Sequence, residues 1–262
     1  MRVLLATDGS APAEAARDLV RTLAWPEGTA IRIVEVLPTT ALVDLAPLET
    51  ELNRIQALSG SLDSIAEPVR REGLVVECAL LEGDSVSGAI VEDAARFRAD
   101  VVVTGHRGHG PIASMLLGSV AAAVTDHAPC PVLVARRPSC ARLLFAEDGS
   151  ASAAGARRLL ASWAPFRGLP VRVVSVAHVH APLLSGIAPS LVEEARRLHE
   201  EMLVEMRTAH ARLAAASAED LRLAGLRADS EVRSGDPAEQ VLAAASETGA
   251  DLIVMGSRGQ SG

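Results

Sequence analysis

The sequence predicts an α/β protein built as two tandem units, each an open parallel sheet with helices on both faces. Three observations carry this. Short apolar runs alternate with longer amphipathic stretches, the pattern of βαβ units. The chain repeats itself: Val3-Leu4-Leu5-Ala6-Thr7-Asp8-Gly9-Ser10 returns 140 residues later as Leu143-Leu144-Phe145-Ala146-Glu147-Asp148-Gly149-Ser150. Apolar residues make up 49% of the chain but aromatics only 2%. The cores must therefore be Ala, Val, Leu and Ile, which suits strands buried on both faces.

The repeat extends in order along the chain. Gly28 and Arg32 match Gly168 and Arg172, Gly83-Asp84 matches Gly235-Asp236, and Asp100 to Gly105 matches Asp251 to Gly256. The later matches are offset by 151 to 152 residues, so unit two holds about a dozen extra residues between its second and third strands. Unit one reads as strand 2–7, helix 11–24, strand 30–37, helix 47–71, strand 74–81, helix 85–97, strand 100–104, helix 117–127 and strand 131–135. Ser10 and Pro12 mark the start of the first helix, as an N-cap and a first-turn proline. Right-handed crossovers then place helices on both faces. The expected domains are 1–137 and 141–262, joined through the short linker Arg136-Arg137-Pro138-Ser139. Unit two is expected to lack its last helix and fifth strand.

The formal charge is −8, which disfavours nucleic acid as a partner, because phosphate-backbone binding relies on clustered Lys and Arg. The three cysteines, Cys78, Cys130 and Cys140, have neither disulfide nor metal-ligand spacing and imply a reducing compartment. No signal-peptide pattern opens the chain, and no apolar run approaches the roughly 20 residues of a membrane span. The expectation is a cytoplasmic protein with no membrane partner.

The chemistry concentrates after the fourth strand of unit one. Gly105-His106-Arg107-Gly108 is followed, nine residues on, by Gly118-Ser119. Glycine at a strand-to-helix handover permits φ > 0 and lets a phosphate approach the backbone. Gly118-Ser119-Val120 would open the last helix, whose N–H groups and positive dipole end suit a phosphate. Turn glycines alone are the competing reading, but the strand context and the Gly-Ser at a helix start favour an anion loop.

This Gly-x2-Gly-x9-Gly-Ser pattern resembles the nucleotide loop of the universal stress protein family. Ala6-Thr7-Asp8-Gly9-Ser10 after the first strand and Cys130-Pro131-Val132-Leu133-Val134 as a last strand share the resemblance, which covers unit one and most of unit two. It implies a Rossmann-like adenine nucleotide α-hydrolase type of fold with strand order 3-2-1-4-5, and a ligand at the switch point between strands one and four. It implies that Ala6, Thr7, Asp8 and Val36 surround adenine and ribose, and that Thr104 and Gly105 line the ribose side. Arg107, Gly108, Gly118, Ser119 and Val120 would hold the phosphates of ATP with Mg²⁺ or Mn²⁺. Asp8 has an alternative as a helix-capping carboxylate, and Arg107 as a solvated loop cation.

Unit two keeps only the first half of the loop, Gly256-Ser257-Arg258-Gly259. The expected function is a nucleotide-responsive stress regulator or chaperone-like module. Its alternatives are a slow ATPase or ATP-using enzyme of the α-hydrolase group, and a structural interaction protein with an empty site. No carboxylate stands out as a general base. The family commonly pairs fifth strands, so residues 131–135 are expected to form a homodimer or an intramolecular pseudo-dimer contact. His106 to His109 fits an H-x-G-H nucleotidyltransferase motif, but after the wrong strand. His178 and His180 read as loop histidines. The charged helix from Leu191 through Leu213 reads as a covering helix, with Met202, Leu203 and Met206 on or near its apolar stripe.

Overall fold

The computed structural model describes residues 1–39, 60–108, 117–179 and 189–259. Two compact units divide the chain, Met1–Cys140 and Ala141–Gly262. In unit one the strands are β1 (Arg2–Ala6), β2 (Thr29–Pro38), β3 (Leu74–Gly83), β4 (Val101–Gly105) and β5 (Val132–Ala135). They form one parallel sheet in the order β3-β2-β1-β4-β5, the order that the resemblance implies. The apolar runs explain the centre: β4 is buried at every position and β1 at all but its first, as in a sheet covered on both faces.

Helix α1 (Ala11–Thr22) starts where the sequence places it. The Ser10 hydroxyl accepts the Ala13 N–H, and Pro12 sits in the first turn, where no intrahelical donor is needed. The preceding Gly9 has φ 74, and its repeat Gly149 has φ 80, a left-handed turn conformation that glycine takes without strain. Of the long second helix expected over 47–71, residues 60–66 form α2, which tightens into a 3-10 turn at Glu67–Val69. Residues 40–59 lie outside the described chain. Helices α3 (Val86–Phe97) and α4 (Ser119–His127) follow, both near their expected bounds. A buried cluster of Leu4, Ala6, Val34, Ile90, Ala94, Val102 and Val124 joins β1, β2 and β4 to α3 and α4.

Unit two repeats this with β6 (Leu143–Ala146), α5 (Ala151–Ser162), β7 (Pro170–Ala177), α6 (Pro189–Leu223), β8 (Arg227–Ser234), α7 (Pro237–Thr248) and β9 (Leu252–Val254). Among the described residues the sheet has four strands in the order β8-β7-β6-β9, equivalent to 3-2-1-4. The extra residues between β7 and β8 belong in part to α6, which reaches 35 residues, about 52 Å of helix against about 27 Å for the eight-residue β7. It therefore outruns the sheet that it covers. Its buried positions among the described residues are Ala214, Ser217, Ala218 and Leu221, one face at helical spacing. Met202, expected on or near the apolar stripe, is instead exposed, with Leu198 and Val204.

Candidate functional site

The sheet order puts the carboxyl ends of β1 and β4 side by side at the point where the chain reverses direction across the sheet, where ligands of open α/β sheets bind. The sequence-predicted residues gather there. Thr7 continues β1, its N–H donating to the Val34 carbonyl at 2.9 Å. Its buried hydroxyl accepts the Gly9 N–H at 3.2 Å. Asp8 is exposed and accepts the Ser10 N–H at 3.0 Å. The carboxylate thus ties the turn, while the helix cap proper is Ser10.

The two halves of the glycine pattern meet in space. The Gly118 N–H donates to the His106 carbonyl at 2.8 Å, and the His106 N–H to the Ala135 carbonyl at 3.0 Å. A Cβ on Gly118 would lie 3.1 Å from Arg107 Cα and 3.8 Å from the Gly108 nitrogen. Gly108 in turn faces Asp8, whose carboxylate oxygen a Cβ there would meet at 2.3 Å. The β1–α1 turn, the loop after β4 and the start of α4 therefore converge on one spot.

One expectation needs correction. Gly105, Gly108 and Gly118 do not adopt positive φ. What demands glycine is close approach. A Cβ on Gly105 would lie 2.6 Å from the carbonyl carbon and oxygen of Pro12 and 2.9 Å from the Ala13 nitrogen, inside the first turn of α1. Gly256 repeats this against Ser152 and Ala153. These two glycines answer to helix packing, so the first glycine of the motif reports on the fold in both units.

The start of α4 differs from the other helices whose caps are described. Ser10, Ser85, Ser150 and Asp236 each cap their helix with a side chain, whereas Gly118 brings none to α4. The first-turn amides of α4 thus receive no acceptor from their own cap residue, at the positive end of the helix dipole. Ser119 is exposed at that turn. Arg107 is half-buried in the loop, and its Nε is buried without a hydrogen-bond partner among the described residues. Val36 and Val120 are partly buried and pack against the cluster that contains Ala6. Thr104 is buried, its hydroxyl directed to the Gly105 carbonyl at 3.3 Å.

Unit two holds a different arrangement. Glu147 stands where unit one has Thr7, with its side chain 1% exposed. One carboxylate oxygen accepts the Gly149 N–H at 2.9 Å. The other accepts the Ser217 hydroxyl of α6 at 2.7 Å and lies 3.4 Å from Arg157 of α5. Ser175 donates to the Glu147 carbonyl at 2.5 Å, so its oxygen accepts from His210 Nδ1 at 2.7 Å. Burial holds the His210 pKa below the ordinary imidazole range, offset in part by Asp148. The repeat alignment showed Glu147 opposite Thr7, but its buried network with Ser217 of α6 was not legible, because no repeat partner marks Ser217. His178 bonds through Nδ1 to the Gly235 carbonyl, and no metal-holding cluster of three acidic, His or Cys side chains occurs among the described residues. His109 and His180 lie outside them.

Fold and site together define a tandem, doubly wound α/β protein with a glycine loop at its switch point, complete in the first unit. The model of the universal stress protein family matches residues 1–136 and again 141–262, so the chain belongs to that family. A Thermus aquaticus universal stress protein is 33% identical over 135 residues, covering 51% of this chain and 97% of the relative. One from Methanocaldococcus jannaschii is 32% identical over 145 residues, covering 52% of this chain and 82% of the relative. A solved universal stress protein of Archaeoglobus fulgidus, 17% identical, matches 97% of this chain and 86% of its own with a TM-score of 0.63, a likeness of fold.

Proposed function

We propose that unit one binds ATP at the carboxyl ends of β1 and β4 and that the protein acts as a nucleotide-responsive stress regulator or chaperone-like module. The observation that carries this is the meeting of the Gly108 amide, Gly118, Arg107 and the side-chain-free N-cap of α4. Backbone donors at a helix N-terminus are a ready site for phosphate oxygens, and each charge-assisted bond contributes roughly 1.5–3 kcal/mol. In this reading Ala6, Thr7, Asp8 and Val36 border adenine and ribose, with Thr104 and Gly105 forming the floor beside them. Arg107, Gly108, Gly118, Ser119 and Val120 cradle the phosphates. Mg²⁺ or Mn²⁺ would bind chiefly through phosphate oxygens and water, which is how Mg²⁺ usually enters nucleotide sites. The outer edge of β5 remains the proposed surface for pairing with a second copy.

Ser119→Asp tests the phosphate site without threatening the fold. A carboxylate in the first turn favours the helix by about 0.3–1 kcal/mol through its dipole. The same charge repels phosphates. Calorimetry should show ATP affinity falling at least tenfold, about 1.4 kcal/mol, in a variant no less stable than the parent. Unchanged affinity would remove the phosphates from this helix end.

A further inference from the structure

The loop after β4 carries a histidine whose backbone is fully engaged and whose ring keeps one nitrogen without a partner among the described residues. His106 donates its N–H to Ala135 at the end of β5 and accepts the Gly118 N–H at the start of α4, so it links both sides of the loop. Its ring lies against the Ala135 carbonyl, and Nδ1 is buried without a partner among the described residues. The charged groups around it are Arg107 on the same loop and Arg136 just past β5. Asp8, from the β1–α1 turn, reaches the loop two residues further on, at Gly108. Burial first, then the two guanidinium groups, hold the imidazole pKa below its ordinary range, and the Ala135 carbonyl offsets them in part. Burial and the two guanidinium groups thus disfavour the charged ring.

We propose that His106 couples nucleotide binding to proton uptake, so that a polyphosphate seated at Gly108, Gly118 and the first turn of α4 protonates the ring and binds more tightly as the medium acidifies. The inference rests on the phosphate site proposed above. In the empty loop the two arginines oppose a third positive charge. A polyphosphate brings several negative charges to a helix start that is one hydrogen bond from His106. It offsets the arginines, and protonation makes Nδ1 and its ring partner both donors. The sign follows from linkage. A pKa higher in the bound state than in the empty one means that binding takes up a proton. Affinity then rises as pH falls through the bound-state pKa and levels off below the empty-state value.

The test is an ATP titration by calorimetry between about pH 8 and about pH 5.5, a span that brackets the ordinary histidine pKa near 6.5. It is run on the full chain and on His106→Asn. The ratio of the two affinities cancels the titration of ATP itself. That ratio should change at least about threefold in favour of the parent at the acid end, equivalent to a pKa change of about half a unit. Histidine NMR of the parent gives a second readout, with the His106 signal assigned by its loss in the variant, or in His106→Gln should His106→Asn not fold. Its pKa should rise when ATP is added. A flat ratio and an unmoved pKa, with ATP still bound, overturn the coupling alone. ATP failing to bind at any pH overturns the phosphate site and the coupling with it.

Discussion

Gly105→Ala destabilises unit one by about 2–3 kcal/mol, lowering its calorimetric transition by roughly 6 °C or more. The added carbon falls 2.6 Å from backbone atoms of Pro12, and backbone in a helix's first turn has no rotamer with which to step aside. Helix α1 must lift from β4, and the cavity and strain reach the fully buried neighbours Val3, Leu5 and Val103. Gly256→Ala should do the same to unit two, where Ala153 N stands 2.8 Å from the added carbon. Gly155→Ala is the control. It lies inside α5, where an added Cβ would stand 4.0 Å from the flexible end of Arg158, so it should stabilise by about 0.5–1 kcal/mol. Transitions that do not move in the first two variants would show that packing does not demand these glycines.

Arg157→Met costs unit two about 3 kcal/mol or more. Glu147 is almost wholly buried, and Arg157 is the cation within ion-pair distance of it among the described residues. Without that guanidinium, the carboxylate keeps the Ser217 hydroxyl and the Gly149 amide but no compensating positive charge. Removing one member of a buried pair is far more damaging than removing both. The double variant Arg157→Met with Glu147→Leu should therefore recover a large part of the loss. Urea denaturation of the three proteins measures this. A single variant that loses less than about 1 kcal/mol would show that the pair is not what makes Glu147 tolerable there.

The repeat, the strand positions and the convergence of the two glycine half-motifs were all legible in the sequence. Each is written in local pattern: β1 and β4 are continuous apolar runs, and Ser10 with Pro12 spells a helix start. What was not legible is the reason for the glycines. A missing Cβ reads equally as backbone freedom, ligand approach or tight packing, and only the position of α1 over Gly105 decides among them. The role of Asp8 was hidden similarly, since Asx-turn and cap geometries share one sequence. The outward Met202 followed from the length of α6, whose first half extends past the sheet that would have buried it.

The proposed nucleotide site is tested most directly by calorimetric titration of the full chain with ATP and with adenosine under identical conditions. The expected result is ATP binding at least tenfold tighter, about 1.4 kcal/mol, with the difference abolished in Ser119→Asp. Adenosine and ATP binding equally well, or neither binding, would contradict a phosphate site at the start of α4.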